Sequence, residues 1–235
     1  MAPGRLFLVP SPLSEAPQER VIPGYVWESI AHIRHFAVEE ERTARRFLSK
    51  GCFKGRIDTL SLYTVNEHST AEQIKRTAQV MLDGNDMALI SEAGLPAVAD
   101  PGAALVQIAH NHNVEIVPFV GPSSLMMALM SSGLNGQCFA FSGYIPVKSP
   151  ERKARLQEME ARSARLHESE ILIETPYRND SLFADMLSTL KPATRLCIAA
   201  DITGESQFIR TRSIAQWRKE PLSIGKRPCV FIFLA

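Results

Sequence analysis

Residues 89–102 restrict the fold of this chain more than any other stretch. They begin as the apolar run Leu89-Ile90, break at Gly94 and Pro96, and close on Asp100-Pro101-Gly102. That order predicts a buried strand, a tight loop and a helix start, with Asp100 as cap and Pro101 in the first turn. In an open parallel sheet, ligands bind outside the carboxyl ends of the strands, where such a loop sits.

Strand-like and helix-like runs alternate around this loop. Residues 6–9, 35–38, 60–65, 87–91 and 114–119 read as strands, and 25–33, 39–50, 71–82 and 103–111 as helices. Strands separated by helices pair in parallel through right-handed crossovers. The first half therefore predicts a five-stranded parallel α/β layer. In the second half, residues 124–132, 150–165 and 180–190 read as helices, and 138–142, 170–174, 195–199, 208–211 and 229–234 as strands. Little chain separates Ala199 from Phe208, which predicts a hairpin and a mixed second sheet. The expected organisation is two α/β domains, residues 1–118 and 119–235, with a ligand cleft between them.

Charge and composition exclude several classes. The net charge is only +1, so any nucleic-acid contact comes from a local patch. The densest patch runs from Arg42 to Arg56, with Arg42, Arg45, Arg46, Lys50, Lys54 and Arg56 and no acidic residue between them. Arg42, Arg46 and Lys50 recur every fourth residue and share a helix face suited to phosphates. The basic residues of 149–165 alternate with acids and read as a solvated face. No apolar run reaches the ~18 residues of a membrane helix. The amino-terminal residues lack a signal-peptide pattern, and the four cysteines form no metal or disulfide framework. A cytoplasmic setting without membrane attachment is expected. No metal is expected either, because no carboxylate or thiol accompanies His32 and His35. Gly-x-Gly-x-x-Gly and P-loop motifs are absent, which argues against dinucleotide oxidoreductases and NTPases. Met126, Met127 and Met130 are expected to fill core or dimer contacts.

Several segments, in order along the chain, resemble the ribosomal RNA small-subunit methyltransferase I family of the tetrapyrrole methylase superfamily. Ser91-Glu-Ala-Gly-Leu-Pro96 with Ala99-Asp-Pro-Gly102 resembles its Ser-Asp-Ala-Gly-Thr-Pro and Ser-Asp-Pro-Gly. Pro118 with Gly121-Pro-Ser-Ser124 resembles Pro-x-x-Gly-Pro-Ser-Ala, and Ser132-Gly-Leu134 follows. Gly143-Tyr-Ile-Pro-Val-Lys148 resembles Gly-Phe-Leu-Pro-x-Lys, and Glu174-Thr-Pro-Tyr-Arg178 resembles Glu-Ser-Pro-His-Arg. Glu39-Glu-Glu-Arg42 with Arg45 resembles Glu-Asp-Thr-Arg…Arg, and Glu67-His68 matches a Glu-His pair. The chain departs from the pattern at Ser14-Glu15 (Gly-Asn in the family), Glu92 (Asp), Tyr177 (His) and Ala200-Asp201 (Arg-Glu), and it reads as a divergent short member.

The resemblance implies a two-domain tetrapyrrole-methylase-like fold and a homodimer that binds S-adenosylmethionine. It further implies methyl transfer to the ribose 2′-hydroxyl of a cytidine in small-subunit ribosomal RNA. The superfamily's cofactor pattern falls on Pro12, Ser91, Glu92, Ala93, Gly94, Ala97, Val98, Ser123, Ser124, Glu174 and Ala200. Glu39 and Glu40 are the candidate bases; Arg42, Arg45, Arg46, His68, Lys148 and Arg178 are the candidate substrate contacts. Two other readings stay open on the residues alone. One is a methyltransferase acting on a small molecule such as a tetrapyrrole. The other is a non-catalytic ligand- or RNA-binding protein on the same fold.

Overall fold

The computed structural model describes residues 2–220 and 222–235. They form two compact units that divide between Ser123 and Ser124. In the first unit, β1 (Leu6–Val9), β2 (His35–Val38), β3 (Ser61–Thr64), β4 (Met87–Ile90) and β5 (Ile116–Pro118) make one parallel sheet in the order β3-β2-β4-β1-β5. Helices α1 (Gly24–Ile30), α2 (Glu41–Lys50), α3 (Ala71–Leu82) and α4 (Ala103–Asn111) connect the strands.

The period of two along the strands decides which helices cover which face. Phe7, Val9, Phe36, Val38, Ala88 and Ile90 pack with Val26 and Ile30 of α1 and with Phe47 and Leu48 of α2. The alternate residues Leu6, Ala37, Met87 and Leu89 pack with Ala78 and Met81 of α3 and with Leu105 and Ala109 of α4. Covered on both faces, β4 is buried along its whole length, which is why it reads as an unbroken apolar run. From the neighbouring strands β1 and β4 the chain departs in opposite directions, toward β2 and toward β5. That divergence is the switch point at which open α/β sheets bind ligands.

In the second unit, β6 (Phe139–Phe141), β7 (Ser169–Ile173), β8 (Arg195–Ala200), β9 (Phe208–Ser213) and β10 (Cys229–Leu234) form a mixed sheet ordered β6-β7-β10-β8-β9. Only β6 and β7 pair in parallel, and β8 and β9 form the expected hairpin. Helices α6 (Ser149–Leu166), α7 (Asn179–Thr189) and α8 (Ile214–Lys219) cover one core through Leu156, Phe183 and Trp217, packed with Leu172, Ile198 and Phe231. The Trp217 indole donates to the Leu196 carbonyl at 2.9 Å, so its polar group is satisfied inside that core. Helix α5 (Ser124–Ser132) packs on β9 and β10.

Some expectations change. Helix α1 ends at Ile30 rather than Ile33, and β5 is shorter than residues 114–119. Helix α2 starts at Glu41 because Glu40 caps it: its carboxylate accepts from the Arg42 and Thr43 amides at 2.9 and 2.6 Å. Asp100 does not cap α4; Gly102 holds the cap position. Met126 and Met130 are exposed, the latter by 82%, so they do not fill the core of the unit. Among the described residues, no helix is long and apolar enough to cross a membrane.

At the amino ends of the strands, Asp86 ties three segments together. Its Oδ1 accepts from the Arg5 amide at 2.8 Å, and its Oδ2 from the Arg5 guanidinium and from His32 Nε2, each at 2.8 Å. Burial opposes the charged form, but these donors outweigh it and hold the Asp86 pKa at about 2. The folded-state value lies below the unfolded one of about 3.9, so this stabilisation is present above that pH and fades as pH falls toward the folded value. Asp86→Asn should lower stability at neutral pH by about 1 kcal/mol. In thermal melts against pH, the gap between variant and parent should close in acid.

Candidate functional site

The carboxyl ends of the parallel strands hold most candidates of the first unit. Pro12 follows β1, Glu39 and Glu40 follow β2, His68 lies beyond β3, and Ser91, Glu92, Ala93 and Gly94 follow β4. Two loops there close on each other. The Ser11 amide donates to the Gly94 carbonyl at 2.8 Å, the Gly94 amide returns a bond to Ser11 at 3.0 Å, and Ser11 Oγ donates to the Ser91 carbonyl at 2.8 Å. Gly94 reaches this geometry at φ +79°, and a Cβ there would lie 3.2 Å from Leu13. Both backbone groups of Gly94 therefore serve the bridge. Glu92, Ala93, Val98 and Ala99 of the same loop are exposed to solvent. Gly121 has a similar role: a Cβ would lie 2.1 Å from that of Pro10, so only glycine lets the segment leading to Ser123 pass so close.

Beyond Gly94 the loop is strained. Ala97 and Ala99 sit in the left-handed region at φ 64° and 56°. Such residues cost roughly 1–3 kcal/mol each and cluster at ligand clamps. Asp100 spans this stretch: its Oδ1 accepts from the Ala97 amide at 3.2 Å and from the Gly102 amide at 2.7 Å. In sequence this role of Asp100 is signalled only by the Asp-Pro-Gly triplet, which marks a turn.

Carboxyl groups converge beside this loop. Glu39 is half-buried and accepts weakly from the Glu92 amide at 3.4 Å. Burial first, then the nearby charges of Asp100, Glu92 and Glu67, push its pKa above the ordinary glutamate value. Burial also raises Asp100. Glu40 behaves in the opposite way. The amides of Arg42 and Thr43, with the Thr43 hydroxyl, bind its carboxylate and lower its pKa.

The basic patch is less free than its sequence suggests. Arg45 pairs with Asp58 at 2.8 Å and Arg46 with Glu15 at 3.1 Å. Arg56 donates to the carbonyls of Ala31 and Cys52. Arg42 and Lys50 are exposed and make no ion pair among the described residues. His68 is also exposed, beside Glu67 at 3.5 Å.

In the second unit, Ser124 opens α5, Lys148 precedes α6, Glu174 and Arg178 follow β7, and Ala200 ends β8. Glu174 Oε1 accepts from the Thr175 amide at 2.7 Å and from Arg178 Nη2 at 2.6 Å. Burial opposes the charge, but Arg178 and Thr175 prevail and the pKa is lowered. The other oxygen of Glu174, Arg178 Nε and Asn179 Oδ1 are buried and have no hydrogen-bond partner among the described residues. Buried polar atoms are nearly always paired, so an orphaned set is a place where a ligand's polar groups fit. Asn179 was not foreseen in sequence. Past Ala200, Asp201 and Thr203 take left-handed φ values of 50° and 72°, and Asp201 pairs with Arg227 at 2.6 Å. Among the described residues, no three His, Cys, Asp or Glu side chains are grouped to hold a metal ion.

No protein-family model matches the chain. It is 30% identical over 211 residues to ribosomal RNA small subunit methyltransferase I of Vibrio cholerae, covering 90% of this chain and 69% of that protein. To the protein of the same name from Neisseria meningitidis it is 34% identical over 165 residues, covering 70% of this chain and 53% of the relative. The chain thus spans from about half to about two thirds of the length of these relatives. Among solved structures, it superposes on uroporphyrin-III C-methyl transferase from Thermus thermophilus complexed with S-adenyl homocysteine. The TM-score is 0.59 at 12% identity, covering 98% of this chain and 97% of that one, a likeness of fold.

The Asp100 bonds lead to a direct test. Asp100→Ala should leave the first unit folded but speed amide hydrogen exchange at Ala97 and Gly102 by roughly tenfold or more, the worth of hydrogen bonds to a charged group.

Proposed function

This chain belongs to the ribosomal RNA small subunit methyltransferase I family, and on that premise we propose that it methylates the ribose 2′-hydroxyl of a cytidine in small-subunit ribosomal RNA. When bound, S-adenosylmethionine supplies an electrophilic methyl group carried on a sulfonium. The residues present fit such a ligand. The strained loop after β4 is exposed at Glu92, Ala93 and Val98, with Ala97 and Ala99 in left-handed backbone. The orphaned oxygen of Glu174 matches a ligand with hydroxyl or ammonium donors. On the first unit the proposed cofactor contacts also include Pro12, Ser91, Gly94, Ala97 and Ser123; Ser124, Glu174 and Ala200 are the second unit's own candidates.

The placement of Glu39 carries the chemistry. A ribose hydroxyl is a poor nucleophile, and a base at its proton helps most when the base's pKa lies near the working pH. Glu39 meets that need better than Glu40. Its pKa is raised and its carboxylate holds one long bond, whereas Glu40 is committed to capping α2. In this reading Glu39 takes the proton that the 2′-hydroxyl loses as its oxygen is methylated. Arg42, Arg45, Arg46 and His68 contact phosphates on the first unit, and Lys148 and Arg178 do so on the second. A ribosomal substrate implies a cytoplasmic setting. Exposed Met126 and Met130, four residues apart on α5, suit burial against a second copy in a homodimer.

The deciding assay offers labelled S-adenosylmethionine to small subunits from a strain lacking its own enzyme of this kind. Label on a cytidine ribose is expected. Label on a small tetrapyrrole, or none on either acceptor, would overturn the reading. Glu39→Gln should lower kcat by about 10²–10⁴-fold and abolish the acidic limb of the pH–rate profile, which in the parent lies above the ordinary value of about 4.3. Because burial raises the folded pKa of Glu39, its ionisation weakens the fold as pH rises through that value. The same variant should therefore melt higher than the parent at neutral pH.

A further inference from the structure

We propose that Tyr144 and Tyr177, braced by Arg178 and flanked by Lys148, form a stacking platform for an unpaired base of the RNA substrate. This inference rests on the RNA reading above. Strands β6 and β7 run parallel, with Phe141 opposite Ile171, and the Ile173 amide donates to the Gly143 carbonyl at 3.1 Å. The segments that follow therefore leave the sheet side by side, at the same end. Gly143 turns the first of them at φ +63°, after which Tyr144 points outward and Ile145 returns to the core. Pro176 opens a short 3-10 turn, Pro176–Arg178, that carries Tyr177 on the second.

Two large rings are thus presented to solvent, Tyr144 at 59% and Tyr177 at 68% exposure. Both lie on segments that leave the same end of the β6–β7 pair, and exposed apolar surface gathered in one place marks an interaction site. The Tyr177 ring is held in place. Arg178 lies 5.1 Å from its centroid and donates through Nη1 to its hydroxyl at 3.2 Å, and Arg178 itself is anchored by Glu174 at 2.6 Å. Tyr144 lies close enough to act electrostatically on the same guanidinium. Lys148, 81% exposed and 4.0 Å from the exposed carboxylate of Glu151, adds a second cation four residues beyond Tyr144. Glu174 is already paired with Arg178, which offsets its charge.

Rings beside cations match a nucleobase with its phosphate better than they match an apolar protein surface. Single-stranded RNA offers bare base faces that stack on tyrosine and arginine, while paired bases have their faces occupied. The platform therefore selects an unpaired stretch of the RNA.

Fluorescence anisotropy of a short unstructured RNA, titrated with the full chain, tests the proposal. Replacing both rings (Tyr144→Ala with Tyr177→Ala) should weaken binding about tenfold or more, the worth of a stacked base. It should leave the salt dependence unchanged, because no phosphate contact is removed. The paired change Tyr144→Phe with Tyr177→Phe keeps both ring faces and should bind as the parent does. Thermal melts of both variants check that they fold. If the parent binds RNA and the double alanine variant binds equally well, the platform is wrong while the RNA reading stands. If the parent neither binds RNA nor labels small subunits, the RNA reading itself fails and the platform falls with it.

Discussion

The reciprocal backbone bridge between Ser11 and Gly94 is the constraint on which the rest of the first unit's site depends. It joins the loops leaving β1 and β4 where the two strands lie side by side and the chain departs in opposite directions. With the bridge closed, Gly94 is fixed, and the chain beyond it is forced through left-handed alanines that Asp100 spans. Glu39 then receives its one backbone contact from Glu92, two residues before Gly94. Loss of the bridge would release the strained loop and the carboxyl group together.

Charge is arranged differently at the two ends of the parallel sheet. At the amino ends, Asp86 is surrounded by Arg5 and His32 and stays ionised deep into acid, which suits a structural tie. At the carboxyl ends, Glu39 and Asp100 lie partly buried with no cation paired to them among the described residues, and both are shifted toward the neutral form. Uncompensated carboxyl groups weaken a fold, and their concentration beside a strained loop is typical of sites kept for chemistry. In the second unit Glu174 combines both patterns. One oxygen is held by Arg178 and the other is buried with no partner among the described residues.

Much of the architecture was legible because local rules agreed with the packing. Helices α4 and α5 begin and end where the apolar spacing and the Gly, Pro and Ser signals place them, and β4 reads as a buried strand because both of its faces are covered. Helix α8 was overlooked although Ser213 and Gln216 form a capping box that is visible in sequence. What stayed hidden came from distant partners. Nothing in the sequence places Asp86 against Arg5 and His32, or sets Asp58 and Glu15 against a basic patch that reads as free of acids. Glu39 and Glu40 look equivalent along the chain. One is a helix cap and the other a half-buried acid only because α2 starts at Glu41 and the loop after β4 folds over the end of β2.

Whether the bridged loop holds the cofactor is decided by calorimetric titration of the whole chain with S-adenosylhomocysteine, in the parent and in Gly94→Trp. Saturable binding in the micromolar range is expected for the parent. The variant should lose that binding, with circular dichroism showing the same secondary structure in both. Equal binding by parent and variant, or no binding by the parent, would contradict the assignment of the bridged loop after β4 as the cofactor site.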